Sequence, residues 1–126
     1  MQTLFNFQGR HQIHDIRPTA KRLALEMGFD LNSSYKLAAS ISELIQSVSA
    51  IGRDFHLSIR VIKNHKSAGL EFIVNAFTDD SYKTNFSING HLGSGFENIK
   101  RKMDDFCISS SGGELRLVTR KWIPVA

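Results

Sequence analysis

The chain has 126 residues and a mass of 14.2 kDa, with 41% apolar and 22% charged residues. That is enough for one domain, 1–126, with a core that needs no disulfide or metal staple, and it excludes disordered, collagenous and coiled-coil chains. The formal net charge of +4 and a pI of about 9.5 raise nucleic acid or an acidic protein as partners.

TLFNF opens the chain as a short β-like stretch, with Leu4 and either Phe5 or Phe7 on a buried face. In HQIHDIRPTAKRLALEMG, the residues Ile13, Ile16, Ala20, Leu23, Ala24 and Met27 recur at helical spacing. Pro18 either starts this helix or kinks it, and Gly28 suits a left-handed cap at its end. FDLNSS is a helix start, with Asn32, Ser33 and Ser34 as capping side chains. Leu37, Ile41, Leu44, Val48 and Ile51 then mark a second amphipathic helix ending near Gly52.

DFHLSIRVIKN alternates, with Phe55, Leu57, Ile59 and Val61 on one face of a half-buried strand. HKSAG reads as a hairpin-like loop. GLEFIVNAFTDD is the next strand, with Leu70, Phe72, Val74 and Ala76 on one face. Residues 79–91 read as an irregular loop. LGSGFENIKRKMDDF is a third helix carrying Leu92, Phe96, Ile99, Met103 and Phe106. CISSSGGELRLVTRKW closes the chain as a hairpin turning at SSGG, with Leu115 and Leu117 on one side. The order is β-α-α-β-β-α-β-β, an α+β two-layer sandwich.

The only cysteine, Cys107, can form neither an internal disulfide nor a thiolate zinc site, fits a reducing cytoplasm, and reads as a small buried apolar residue. No apolar run of about 18 residues is present, so no membrane-spanning segment is expected. MQTLFNFQGRHQ lacks the basic and apolar stretches of a secretory signal. His11 and His14 stand three apart without a third ligand and read as surface residues.

This element order, with glycines just before the last helix, resembles the GHKL (Bergerat) ATP-binding fold. It is most similar to the small RsbT-like and RsbW-like serine/threonine kinases of bacterial partner switching. The segments that carry the resemblance are KRLALEMGFD, ISELIQS, GLEFIVNA, LGSGFENIKRKMDDF and GGELRLVTRKW. The resemblance implies a sandwich of the GHKL/histidine-kinase ATPase type, a mixed sheet covered by about three helices. It also implies ATP and Mg²⁺ as cofactors and a cytoplasmic location. The partners it implies are a STAS-domain antagonist, a sigma factor or a phosphatase, and some relatives of this kind act as homodimers.

The family's helix motif is E-x-x-x-N, in which Glu acts as general base or orients the nucleophile and Asn holds Mg²⁺. Glu43 matches the Glu, but Ser47 stands at the Asn position and offers only a shorter hydroxyl to the metal. The first glycine box, D-x-G-x-G, supplies an Asp that reads the adenine amino group. Ala76 stands at that position and both glycines are missing, with Asn75, Asp79 and Asp80 as nearby acceptors. Alternation puts Asn75 on the opposite face from Ala76. The second box is kept as Gly93 and Gly95 opening the last helix, where backbone N–H groups can approach phosphates, although His91 replaces one further glycine.

Each lost charge-assisted contact is worth about 1–3 kcal/mol, so two losses weaken nucleotide binding by orders of magnitude. The expected function is therefore a partner-switching regulator that works by protein binding with weakened or lost ATP binding. The alternative is an active ATP-dependent kinase that phosphorylates a STAS-domain antagonist. A small basic nucleic-acid-binding domain rests on the pI alone. The basic run Lys100, Arg101, Lys102 is expected to pair on its own helix, as Glu97–Arg101, Lys100–Asp104 and Arg101–Asp105. Residues 1–63 carry 8 basic and 5 acidic groups and residues 64–126 carry 8 and 7, so no basic stripe emerges.

Overall fold

The computed structural model describes residues 4–8, 12–51, 54–77 and 93–123. The elements are β1 (Leu4–Gln8), α1 (Ile13–Met27), α2 (Leu31–Ile51), β2 (Asp54–Lys63), β3 (Ala68–Phe77), α3 (Gly93–Lys102), β4 (Asp105–Ser111) and β5 (Glu114–Trp122). The expected element order therefore holds. The strands form one sheet in the order β1-β2-β3-β5-β4, with every neighbouring pair antiparallel.

The expected mixed sheet is thus corrected to an antiparallel one. Two helices between β1 and β2 return the chain reversed, so those strands pair antiparallel. The single helix after β3 sends β4 parallel to β3, but β5 folds back between them and pairs with both. No parallel neighbours remain.

The core lies between the three helices and one face of the sheet. Phe55, Leu57 and Ile59 of β2, Leu70, Phe72, Val74 and Ala76 of β3, and Leu115 and Leu117 of β5 are buried there. Phe7 is buried and Phe5 packs against the same cluster, so both share the core face rather than one of them. Val61 is only half-buried, while Ile62 on the opposite face is buried.

α1 buries Ile16, Ala20, Leu23 and Ala24 and runs through Pro18 from Ile13. Pro18 is exposed, so its missing N–H falls on the wet side of the helix. Gly28 ends α1 at φ 107°. Its N–H donates to the Leu25 carbonyl at 3.1 Å and that of Phe29 to Ala24 at 3.0 Å, a double C-terminal cap.

α2 begins earlier than the Asn32–Ser34 cap expected from sequence. Asp30 caps it: the Ser33 N–H donates to Asp30 Oδ1 at 2.7 Å. That bond holds the Asp30 carboxyl below its usual range. The Asp30 carbonyl accepts the Ser34 N–H at 2.9 Å. α2 buries Leu37, Ile41, Leu44 and Val48 as the spacing requires, and Ala38 and Ile45 as well. The wide stripe follows from its position, packed against α1, α3 and β2.

α3 stops at Lys102, short of the expected Phe106. The i,i+4 pairs of Lys100 with Asp104 and Arg101 with Asp105 therefore do not form on a helix. Arg101 donates to Asn98 Oδ1 at 2.6 Å. Asp104 accepts the Trp122 N–H at 2.7 Å and lies 3.4 Å from Lys121 Nζ. Asp105 starts β4, so Phe106 and Ile108 pack towards the core. Alternation then places Cys107, opposite Val118, on the outer face, where it is exposed rather than buried. The β4–β5 turn is Gly112–Gly113, at φ 59° and 82°, the two left-handed positions that a two-residue hairpin turn requires.

The outer face of the sheet has its own organising contact. Register aligns Arg60 of β2, Glu71 of β3 and Arg120 of β5 in one row. Glu71 is 1% exposed. It accepts from Arg60 Nε and, at 2.6 Å, from Arg120 Nε. Burial alone would push this carboxyl up, but the two guanidinium groups more than offset that and hold it below the usual glutamate range. Two register positions away, Trp122 lies against Gly69, where an added β-carbon would sit 2.5 Å from the Lys121 carbonyl oxygen.

A carboxyl with a depressed folded pKa contributes stability above its unfolded pKa and loses it as pH falls through the folded value. Glu71→Gln is therefore expected to cost about 1–3 kcal/mol at pH 7, allowing for two arginines that remain partly solvated. The cost should shrink as pH falls through that depressed folded value, because the native carboxyl is then protonated too. Urea unfolding of both proteins across that pH range checks this.

Candidate functional site

Glu43 and Ser47 sit one turn apart in the C-terminal half of α2, and both are half-buried. The four-residue spacing puts them on one helix face, at the edge of the buried stripe formed by Ile41, Leu44 and Val48. Gly93 is the first residue of α3 and Gly95 lies in its first turn.

The packing of α2 on α3 brings these two pairs to the same end of the domain. Ser33, Lys36 and Ser40 of α2 border a cleft with Lys102 and Met103, at the end of α3. The first half of α2 thus meets the last turn of α3, and the helices run antiparallel. About 13 Å back along α3 from Lys102 reaches Gly93, and the same distance forward along α2 from the cleft residues reaches the stretch 42–49 that holds Glu43 and Ser47.

Ala76 is near the end of β3, in register with Phe55 and Leu115, and is 0% exposed. Its methyl faces the core and offers no acceptor. Asn75 lies in register with His56 and Arg116 on the other face, and its Oδ1 is buried with no hydrogen-bond partner among the described residues. It cannot replace a base-reading carboxylate on the helix side of the sheet. Asp79, Asp80, His91 and the expected loop 79–91 lie outside the described residues, as does His11.

At the positions that the resemblance assigns to the site, the described residues supply one carboxylate, Glu43, one short hydroxyl, Ser47, and the buried methyl of Ala76. Among the described residues no group of three or more His, Cys, Asp or Glu side chains could hold a metal ion. No helix among them is long and apolar enough to cross a membrane.

The chain is similar to a serine/threonine-protein kinase. Over 118 residues it is 27% identical to RsbT of Bacillus subtilis (strain 168), covering 85% of this chain and 86% of that protein. No family model matches the chain. The similarity runs through nearly all of both chains and suggests an RsbT/RsbW-like regulator or kinase. The antiparallel five-stranded sheet with three helices on one face is consistent with an α/β sandwich.

The buried Glu71 with its two arginines escaped the sequence reading. Only the strand register reveals that both guanidinium groups flank it: Arg60 stands 11 residues away across the β2–β3 hairpin and Arg120 49 residues away.

Placing a carboxylate at Ala76 puts it against Phe55 and Leu115 without a partner. Ala76→Asp is expected to destabilise the ligand-free protein by about 2–4 kcal/mol at pH 7. A urea denaturation midpoint unchanged from the native protein would contradict the placement.

Proposed function

We propose that the chain is a partner-switching regulator of the RsbT/RsbW-like kind that acts by stoichiometric protein binding, with ATP binding weakened or lost. The observation that carries this reading is Ala76, a fully buried methyl at the position where the GHKL resemblance expects the adenine-reading carboxylate. Ser47 in place of the metal-holding Asn points the same way. Gly93 and Gly95 keep the backbone features of a phosphate-facing helix start, and Glu43 keeps the helix-borne acid. These fit a fold inherited from nucleotide-binding ancestors.

The partners that suit this reading are a STAS-domain antagonist, a sigma factor or a phosphatase, met in the cytoplasm. Partner exchange would be set by the partner's phosphorylation or by competing binders. Exposed Leu25, Leu31 and Tyr35 flank the turn between α1 and α2 and supply apolar surface for a protein contact. A second copy of the chain is a further candidate partner. The modest, evenly spread excess of positive charge suits an acidic protein surface better than a nucleic-acid backbone, which calls for a basic stripe.

A second reading has one observation in its favour: the similar protein is itself a serine/threonine-protein kinase. In that reading ATP and Mg²⁺ bind between α2 and α3, Glu43 assists transfer to a partner hydroxyl, and Asp79 or Asp80 takes over recognition of the base.

Calorimetric titration of ATP, with and without Mg²⁺, separates the two. The binding-only reading expects no saturable heat below about 1 mM nucleotide. Micromolar binding, or transfer of the γ-phosphate to a STAS-domain serine, would establish the kinase reading instead.

A further inference from the structure

The cleft between the first half of α2 and the end of α3 has a volume of about 430 Å³, within the range of small-molecule sites. Phe29, Leu37, Ala39 and Met103 give it apolar walls, and Ser33 and Ser40 line it as well. Lys36, Lys102 and Lys121, from α2, α3 and β5, also line it, three side chains that carry positive charge.

This cleft is not the candidate nucleotide site. Lys121 is in register with Leu70, near the start of β3, whereas Leu115 is in register with Ala76 near its end. At about 3.3 Å per residue the two positions lie about 20 Å apart along β5. The cleft and the Glu43–Ser47–Gly93 group occupy opposite ends of the α2–α3 contact.

The charges around the cleft are unequal. Asp104 offsets Lys121 at 3.4 Å, and Asp30 exerts its pull on Lys36 while bound to the Ser33 N–H. Lys102 has no ion-pair partner among the described residues. The cleft therefore presents an apolar interior under a net positive rim.

We infer that this cleft binds a small amphipathic carboxylate, a molecule with an apolar chain of medium length and one anionic head. The chain would lie against Phe29, Leu37 and Met103, with the head reaching Lys36 and Lys102. The matching of charge to the rim selects an anion over an alcohol or a cation of the same length. This site stands independently of whether the chain binds ATP.

The test is titration of the full chain with octanoate, octanol and octylammonium, followed by ¹H–¹⁵N NMR. Octanoate is expected to saturate shifts at Ser33, Lys36, Ser40, Lys102 and Lys121 with a Kd below about 1 mM. Octanol should bind at least tenfold more weakly and octylammonium not at all. Lys36 and Lys102 are exposed, so the charge reversal K36E/K102E should leave the fold intact and weaken octanoate at least tenfold. K36Q/K102Q, a milder change, should weaken it less and in the same direction.

The inference is overturned if octanoate shifts no cleft residue, if octanol binds equally well, or if neither double variant changes the affinity. It is also overturned if a leucine-rich acidic peptide saturates these shifts where octanoate does not, since the cleft would then belong to a protein partner.

Discussion

The row Arg60–Glu71–Arg120 sets the frame on which the rest of the domain depends. β3 is the central strand, buried on both faces: Phe72 enters the core and Glu71 is enclosed between two guanidinium groups on the other side. A slip of one residue in the β2–β3 or β3–β5 pairing would turn Phe72 outward and leave the carboxylate in the apolar core. Both errors are costly, so the hydrophobic and ionic patterns specify the same register. With that register in place, alternation decides everything else on the strand. Ala76 must face the helices, Asn75 must face away, and Lys121 must come level with Leu70.

The antiparallel course of α2 and α3 then gives the domain two distinct ends. At one end are Glu43, Ser47, Ala76 and the glycine turn of α3, the set that we propose keeps the outline of a nucleotide site without its base-reading acid and metal-holding amide. At the other end, the first turns of α2, the last turn of α3 and the end of β5 enclose an apolar cleft edged by lysines. In the proposed reading, loss of nucleotide chemistry at one end leaves the scaffold and its surfaces available for binding.

Local periodicity made much of this legible from sequence. The 4-3-4 steps of α2 from Leu37 to Val48, the alternation of β3 and the cap at Gly28 each involve residues close in the chain, and the structure agrees with all three. The errors arose where one pattern served two purposes. Met103 and Phe106 continue the helical spacing from Ile99, yet Phe106 belongs to β4, because a helix step and a helix-to-strand transition can place the same residues on the core side. Asp30, Asn32, Ser33 and Ser34 can all cap a helix, and the local bonds that choose Asp30 are invisible in composition. Cys107 is apolar enough for a core, but its place between Phe106 and Ile108 turns it outward. The antiparallel sheet, the buried Glu71 and the lysines of the cleft depend on contacts between distant elements. The faces of Glu43, Ser47 and Ala76 follow from the α2 spacing and the β3 alternation.

The central claim is that replacements at Ser47 and Ala76 removed nucleotide binding from an otherwise preserved site. Restoring both groups tests it most directly, by comparing ATP·Mg²⁺ affinity of the native chain with that of Ser47→Asn/Ala76→Asp. The account predicts that the double variant gains binding by at least tenfold and is stabilised by nucleotide. Native protein that binds ATP·Mg²⁺ as tightly as the double variant would contradict it.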